Sequence, residues 1–166
     1  MIRSLSARRW LLSLALLAAS VLAGCASPAR MVDPQGQSWA GRLALQVFDR
    51  PSESFSAGFE LRGHPDAGEL KLESPLVGTL GVLSWQPGSA TLRSSGQVRQ
   101  FDSIDALLTH VTGSPMPVAA LFDWLRGIDS PVPGWRADLS QVAQGRVNAT
   151  RLEPTPQAEL RVVFER

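Results

Sequence analysis

Apolar and polar side chains alternate at every second position along much of the chain, and turn-forming residues separate the alternating stretches. The apolar positions of the first two stretches are Trp39, Gly41, Leu43, Leu45 and Val47, then Phe55, Ala57, Phe59 and Leu61. Further stretches lie near 70–72, 79–85, 90–93 and 98–101. A period of two predicts strands with one buried face. The short turns between them predict an antiparallel meander that curves strongly or closes into a barrel.

The apolar period changes to 3.6 after the sixth stretch. Two groups of apolar residues have helical spacing: Ile104, Leu107, Leu108 and Val111, then Val118, Leu121, Phe122 and Leu125. Asp102 or Ser103 can cap the first helix, and Gly113 and Gly127 are expected to end the two helices. Two short amphipathic helices inside a β pattern must lay their apolar faces on the sheet, as either a lid or a plug. After Trp135, about two more strands are expected, near 146–152 and 159–165.

The N-terminal segment has the layout of a secretory signal. Basic residues at positions 3, 8 and 9 precede an apolar run over 10–22, which is too short for a membrane-spanning helix. Ala23, Gly24 and Cys25 then resemble the bacterial lipobox. The resemblance implies that residues 1–24 are cleaved and that Cys25 carries an S-diacylglycerol and an N-acyl chain, with no other cofactor. The alternative is an ordinary cleaved signal that happens to contain a cysteine.

The residues after Cys25 suggest where the lipid would hold the protein. Residues 26–38 are small and polar, with no apolar period, and we interpret 25–38 as a lipidated cysteine followed by a flexible tether. Thirteen such residues extend to roughly 45 Å at most. No aspartate follows Cys25, so the analogy with enteric lipoproteins implies an outer-membrane protein that faces the periplasm.

Composition excludes several classes of function. Of the 16 basic residues, three lie within 1–24, whereas all 15 acidic residues follow that segment, so the mature chain has a net charge of −2. That charge argues against a nucleic-acid partner. One cysteine and two histidines provide neither a disulfide nor a cluster of metal ligands. No catalytic motif is present, and we interpret His64 and His110 as structural or solvated, so an enzyme is not expected.

A loop between two predicted strands carries apolar side chains at its tip. Residues 74–80 read Ser-Pro-Leu-Val-Gly-Thr-Leu. Pro75 cannot donate to a sheet and Gly78 tolerates a positive φ, so the segment is expected to be a loop. Leu76 and Val77 then lie at the tip. On residue chemistry alone, they either remain exposed or fold back to cap the barrel mouth.

Three blocks resemble the outer-membrane lipoprotein receptor LolB family. They are the opening strand over 39–45, the Ser-Pro-Leu…Gly loop over 74–78, and a helical segment that includes Thr-Gly-Ser-Pro-Met-Pro-Val over 112–118 and Trp-Leu-Arg-Gly over 124–127. The resemblance implies a mainly β fold with a helical insertion. That fold is a curved, incomplete antiparallel β-barrel of the LolA/LolB type over 39–166, with two short helices over an apolar cavity.

The resemblance also implies a function. Members of the family accept lipoproteins by their acyl chains from the periplasmic carrier LolA and insert them into the outer membrane, so the partners are LolA, acyl chains and outer-membrane lipid. We expect a monomer. The insertion loop matches Leu76, although Val77 stands where the family has glycine. Candidate cavity or lid residues are Leu43, Leu45, Phe55, Phe59, Leu107, Leu108, Val118, Leu121 and Leu125. The alternative is a non-catalytic lipid-binding or scaffold lipoprotein of the envelope.

Overall fold

The structure, a computed structural model, describes residues 36–48, 53–112, 116 and 118–165. They belong to one compact unit that extends over 33–166. The lipobox, Cys25 and most of the predicted tether lie outside the described residues. Among the described residues, no helix has the length and apolar content that crossing a membrane requires.

The described residues form one antiparallel sheet of nine strands and two α-helices. The elements in chain order are β1 (Gln37–Val47), β2 (Glu53–Gly63), β3 (Gly68–Ser74), β4 (Gly78–Gln86), β5 (Ser89–Ser94), β6 (Gln97–Phe101), α1 (Ile104–Thr112), α2 (Val118–Arg126), β7 (Trp135–Asp138), β8 (Arg146–Arg151) and β9 (Ala158–Phe164). The hydrogen-bonded order is β6-β5-β4-β3-β2-β1-β9-β8-β7. The sheet curves without closing, which confirms the predicted incomplete barrel.

The predicted strands are confirmed, with two differences. β1 begins at Gln37, so it takes two residues from the segment interpreted as tether. Three strands rather than two follow α2, because β7 at Trp135–Asp138 was not predicted. Four residues are too few to establish a period of two, and β7 exists because it pairs with β8, from Trp135 opposite Arg151 to Asp138 opposite Asn148.

Alternate connections of an antiparallel sheet lie at the same end. The connections β1–β2, β3–β4, β5–β6 and β8–β9 therefore lie at one end, which we call the Leu76 end because that residue is on the β3–β4 loop. The start of β1 and the β2–β3 and β4–β5 turns lie at the opposite end. Connections at the same end of the sheet can contact the same partner or surface, whereas connections at opposite ends cannot.

The two helices fill the inner side of the curved sheet. Ser103 caps α1 by accepting a hydrogen bond from the Ala106 N–H at 3.1 Å. Gly127 ends α2 as predicted, with φ of +80° and its N–H bonded to the Trp124 carbonyl at 2.9 Å. Gly113 lies outside the described residues. Six of the nine α2 residues are buried, so α2 is a plug rather than a lid.

Candidate functional site

Most of the candidate cavity residues pack together as the protein core. Phe59, Leu107, Leu108, Val118, Leu121 and Leu125 are buried members of one contiguous apolar cluster, and Leu43 and Leu45 are half-buried against it. Inner-facing side chains of the sheet thus meet both helices. The sequence pattern found these residues because it identifies the buried face of each element, but the space expected as a cavity is occupied by side chains of the helices.

Phe55 is the exception among the candidates. It lies on the same strand face as Phe59 and opposite Leu45 of β1, but it is 42% exposed and outside the buried cluster. Phe55 is therefore not part of the packed interior, and its role as a cavity or lid residue stays a prediction. It stands near the start of β2 at the Leu76 end, four residues before the buried Phe59.

Aromatic contacts hold α2 against the sheet. Phe122 is fully buried and contacts Trp39 of β1 and Trp85 of β4 edge to face, with ring centroids 5.6 and 6.3 Å apart. The indole N–H of Trp85 donates to the Pro65 carbonyl at 2.9 Å, and that of Trp124 donates to the Ser130 carbonyl at 3.2 Å. Among the described residues, every buried side-chain nitrogen or oxygen atom has a hydrogen-bond partner. The interior is therefore an apolar lining whose polar atoms are satisfied.

The β3–β4 loop projects its apolar residues away from this interior. Leu76 is 93% exposed and Val77 is 73% exposed, so the alternative in which they cap the barrel mouth is wrong. The Leu76 N–H bonds to Ser74 Oγ at 3.3 Å, and Gly78 has φ of +75°. The β3–β4 register shifts between Leu72 and Glu73, directly before the loop. The shift leaves Leu80 of β4 without a partner on β3, so the extra residue lies just after the loop, and a bulge of this kind bends its strand.

Two further apolar residues lie at the Leu76 end and were not predicted as site residues. Phe48 follows β1, and Leu152 follows β8; both side chains are exposed. The Phe48 N–H donates to the Gln157 carbonyl at 2.8 Å, which joins the β1–β2 and β8–β9 connections. The sequence does indicate that each residue borders a connection between strands, because Asp-Arg-Pro-Ser follows Phe48 and Glu153-Pro154 follows Leu152. Their common location follows only from the strand order.

A buried arginine stabilises the β8–β9 connection. Arg151 is the one charged residue in the buried set of the described chain, and its Nη2 and Nε donate to the Pro156 carbonyl at 2.8 and 3.3 Å. Its guanidinium also lies 5.8 Å from the Trp135 ring centroid. Burial lowers the pKa of Arg151 from its ordinary value, because desolvation disfavours the charged form. Arg151 thus holds the loop that carries Leu152.

The outer face of the sheet carries a shallow depression of about 130 Å³ over Ala44. Glu159 and Arg161 line one side and form a two-point ion pair, with N–O distances of 2.8 and 2.9 Å. The hydrogen bonds from Arg161 lower the pKa of Glu159. Because the pair already satisfies both charges, the depression has no polar group directed at a ligand from this side.

The two histidines are placed apart, on different elements. His110 Nε2 lies 3.1 Å from Arg99 Nη1, and its ring is 5.3 Å from the Phe101 ring. The backbone N–H of His64 donates to the Ala67 carbonyl within the β2–β3 turn. In the described ranges, no group of three metal-ligating side chains is positioned to hold an ion. The apolar interior and the exposed loop are therefore the features that a function must explain.

Comparison with known proteins identifies relatives with one common description. The family model "Outer membrane lipoprotein LolB" matches residues 36–165. The outer-membrane lipoprotein LolB of Bordetella petrii is 38% identical over 136 residues, which cover 76% of this chain and 66% of the relative. The LolB of Chromobacterium violaceum is 34% identical over 133 residues, which cover 77% and 72%. That of Bordetella pertussis is 36% identical over 126 residues, which cover 72% and 63%. The chain thus spans about two thirds of the length of these curated relatives.

Proposed function

The chain belongs to the LolB family of outer-membrane lipoproteins, and we propose that it is a lipoprotein receptor. In this proposal, it accepts lipoproteins from the periplasmic carrier LolA through their acyl chains. It then inserts them into the inner leaflet of the outer membrane. The observation that carries the proposal is that Leu76 is almost completely exposed on a loop of a sheet whose inner side is an apolar interior.

Free-energy considerations explain why a lipoprotein needs such a receptor. Three acyl chains contain roughly forty methylenes, and at about 0.8 kcal/mol each their exposure to water costs on the order of 30 kcal/mol. The chains must therefore pass directly from one apolar container to the next. A receptor has to provide an apolar interior at one step and contact with lipid at the following step.

The interior supports the first step. The inner side of the sheet and the buried faces of α1 and α2 are apolar, and the indole N–H groups of the two buried tryptophans, Trp85 and Trp124, are bonded to backbone carbonyls. When acyl chains replace the helix side chains against the sheet, the Trp85 N–H on β4 can keep its bond to the Pro65 carbonyl, since Pro65 lies outside the helices. Acceptance therefore requires α2, and Phe122 in particular, to move away from the sheet.

The β3–β4 loop supports the second step. An exposed leucine has no stabilising contact in water and gains about 1.5–3 kcal/mol when it is buried in an apolar medium. The Leu76 N–H bonds to Ser74 Oγ and Gly78 adopts a positive φ where the chain enters β4, so Leu76 is presented on a turn between two paired strands. Insertion of Leu76 into lipid would align the interior with the bilayer surface.

Cys25 would supply the anchor. A single acyl chain holds a protein marginally, whereas two or more give stable attachment. We propose that Cys25 carries the diacylglycerol and N-acyl groups and that the receptor works as a monomer, without catalytic activity and without a cofactor beyond its own lipid. The receptor would then bind, on its cargo, the same kind of acyl groups that its own Cys25 carries.

Transfer from a loaded carrier tests this function. The lipidated chain in vesicles is mixed with LolA that holds a fluorescently acylated lipoprotein, and carrier-bound and receptor-bound cargo are separated by affinity pull-down. We expect cargo to leave LolA in proportion to the receptor added. The same cargo without acyl chains is the control and should not transfer. Retention of the acylated cargo on LolA would contradict the proposal.

The packed interior favours one second candidate, a scaffold lipoprotein that holds no acyl chain. A scaffold would keep the packed core of this structure at all times, whereas a receptor would open it to hold acyl chains. Native mass spectrometry after periplasmic expression separates the two candidates. A receptor should acquire acylated peptide as a defined mass increment, whereas a scaffold should remain at the mass of the lipidated chain.

A further inference from the structure

Exposed apolar residues are concentrated on three neighbouring connections at the Leu76 end. The strand order places the β3–β4 loop next to the β1–β2 connection, and that connection next to the β8–β9 connection. We define the apolar rim as the exposed large apolar residues on or directly beside these connections: Phe48, Phe55, Leu76, Val77 and Leu152. Val98, two residues after the β5–β6 turn at the same end, continues the series on the edge strand.

We propose that the whole apolar rim is a bilayer-contacting surface, so that the receptor meets the membrane through three loops rather than through Leu76 alone. This inference rests on the proposed function and extends it. A single inserted side chain leaves the domain free to tilt about that point. Three contacts along one end fix the orientation of the sheet relative to the membrane.

The chemistry of the rim fits lipid rather than a charged partner. Across residues 48–55, 74–78 and 152–157, the sequence has three acids, Asp49, Glu53 and Glu153, and one base, Arg50, so the rim has no excess of positive charge for an anionic partner. The rim side chains stand on three separate connections or on the strand ends directly beside them. Exposed side chains of this kind enter the boundary between headgroups and acyl chains without needing a matched cavity in a partner. Contact should therefore depend on apolar insertion and little on anionic lipid.

The covalent connection to Cys25 allows this orientation. β1 starts at the end opposite the rim, and its 11 residues extend over about 36 Å. The twelve residue steps from Cys25 to Gln37 extend to about 42 Å. The chain is thus long enough to run the length of β1, so a lipid on Cys25 and the rim can reach one bilayer together.

Site-directed quenching tests the proposal on the complete lipidated chain. The sequence has one cysteine, and its thiol is acylated in the proposed mature protein, so single substitutions to cysteine provide unique labelling sites. We would label Phe48→Cys, Leu76→Cys and Leu152→Cys with a fluorophore. Gln86→Cys, an exposed residue before the β4–β5 turn at the opposite end, is the matched control. The proteins are placed in vesicles with lipids brominated in the upper acyl chain.

We expect quenching at positions 48, 76 and 152, and none at 86. The quenching should persist when NaCl is raised to about 0.5 M, because contact does not depend on charge. Quenching at 76 without quenching at 48 and 152 would overturn the rim and leave the single-loop receptor intact. The rim would also be wrong if the probes at 48 and 152 stayed unquenched in vesicles and became shielded only when LolA was added.

Substitution provides an independent measurement. Phe48→Ser with Leu152→Ser should slow delivery of cargo to the bilayer by about tenfold, since two apolar side chains lose their transfer free energy. Val163→Ser is the matched control, because Val163 is 52% exposed, Phe48 is 51% exposed, and Val163 lies toward the end opposite the rim. Delivery equal to that of Val163→Ser would contradict the rim. Loss of acceptance from LolA in all samples, with quenching unchanged, would instead contradict the receptor function.

Discussion

Trp39 on β1 and Phe122 on α2 meet edge to face, with ring centroids 5.6 Å apart and ring planes at 78°. Trp85 on β4 makes a second edge contact with the same phenyl ring. In the sheet, β1 and β4 are separated by β2 and β3. One side chain of α2 therefore contacts two strands that are not neighbours, and the sheet must curve around the helix to allow it.

The first prediction concerns this contact. Phe122→Ala should lower the free energy of unfolding by about 3–5 kcal/mol, because it removes a fully buried ring and leaves a cavity between α2 and the sheet. Denaturant unfolding measures the change. Ala119→Ser, at an exposed position of the same helix, is the control and should change it by less than about 0.5 kcal/mol. A loss below about 1 kcal/mol for Phe122→Ala would mean that α2 is not a packed plug.

The second prediction concerns the approach of β1 to β9. A Cβ on Gly41 would lie 2.0 Å from the Val163 carbonyl oxygen, whereas one on Gly81 would meet its nearest atom, Leu92 Cδ1, at 3.5 Å. Gly41→Ala should therefore destabilise the protein by more than about 2 kcal/mol, because the backbones must separate. Gly81→Ala should be tolerated. Thermal unfolding compares the two variants, and similar melting temperatures would contradict the close β1–β9 pairing.

The third prediction concerns pH. Hydrogen bonds from Arg161 hold the pKa of Glu159 below its ordinary value. A carboxylate with a lowered folded-state pKa stabilises the protein above its unfolded-state pKa, and that stabilisation is lost as pH falls through the folded-state pKa. Arg161→Gln should therefore unfold more easily than the wild type at neutral pH. The difference should shrink as pH falls from neutral to below about 4.3, the ordinary pKa of a glutamate. Unfolding free energies measured across that range provide the check, and a difference independent of pH would contradict the pair.

Alternation along the chain was enough to predict most of the sheet, because burial of one strand face is visible residue by residue. Alternation was not enough to predict β7, because four residues are too few to show a period of two. Pairing with β8 defines this strand. Phe55 and Phe59 also look equivalent in sequence, since they share a strand face. They differ in burial, since Phe59 packs in the core and Phe55 is exposed, and that difference arises from tertiary packing.

For the candidate site, the sequence likewise predicted some of the residues but not their exposure or their grouping in space. Leu76 could be proposed from a proline and a glycine on either side of two apolar residues. The exposure of Leu76 could not be predicted from these residues, because it depends on how the rest of the fold packs around the loop. Phe48 and Leu152 are 104 residues apart in sequence, and only the β1–β9–β8 order brings their connections together.

The fourth prediction tests the central claim, that the exposed loop transfers accepted cargo to lipid. In the loaded-carrier assay, Leu76→Glu should accept acylated cargo within about twofold of the wild type, because the side chain does not contact the interior. Its delivery to vesicles should fall by at least about tenfold, because a carboxylate resists entry into the bilayer. Val163→Glu, the control at an exposed position toward the opposite end, should do both at the wild-type rate. Normal delivery by Leu76→Glu would contradict the account.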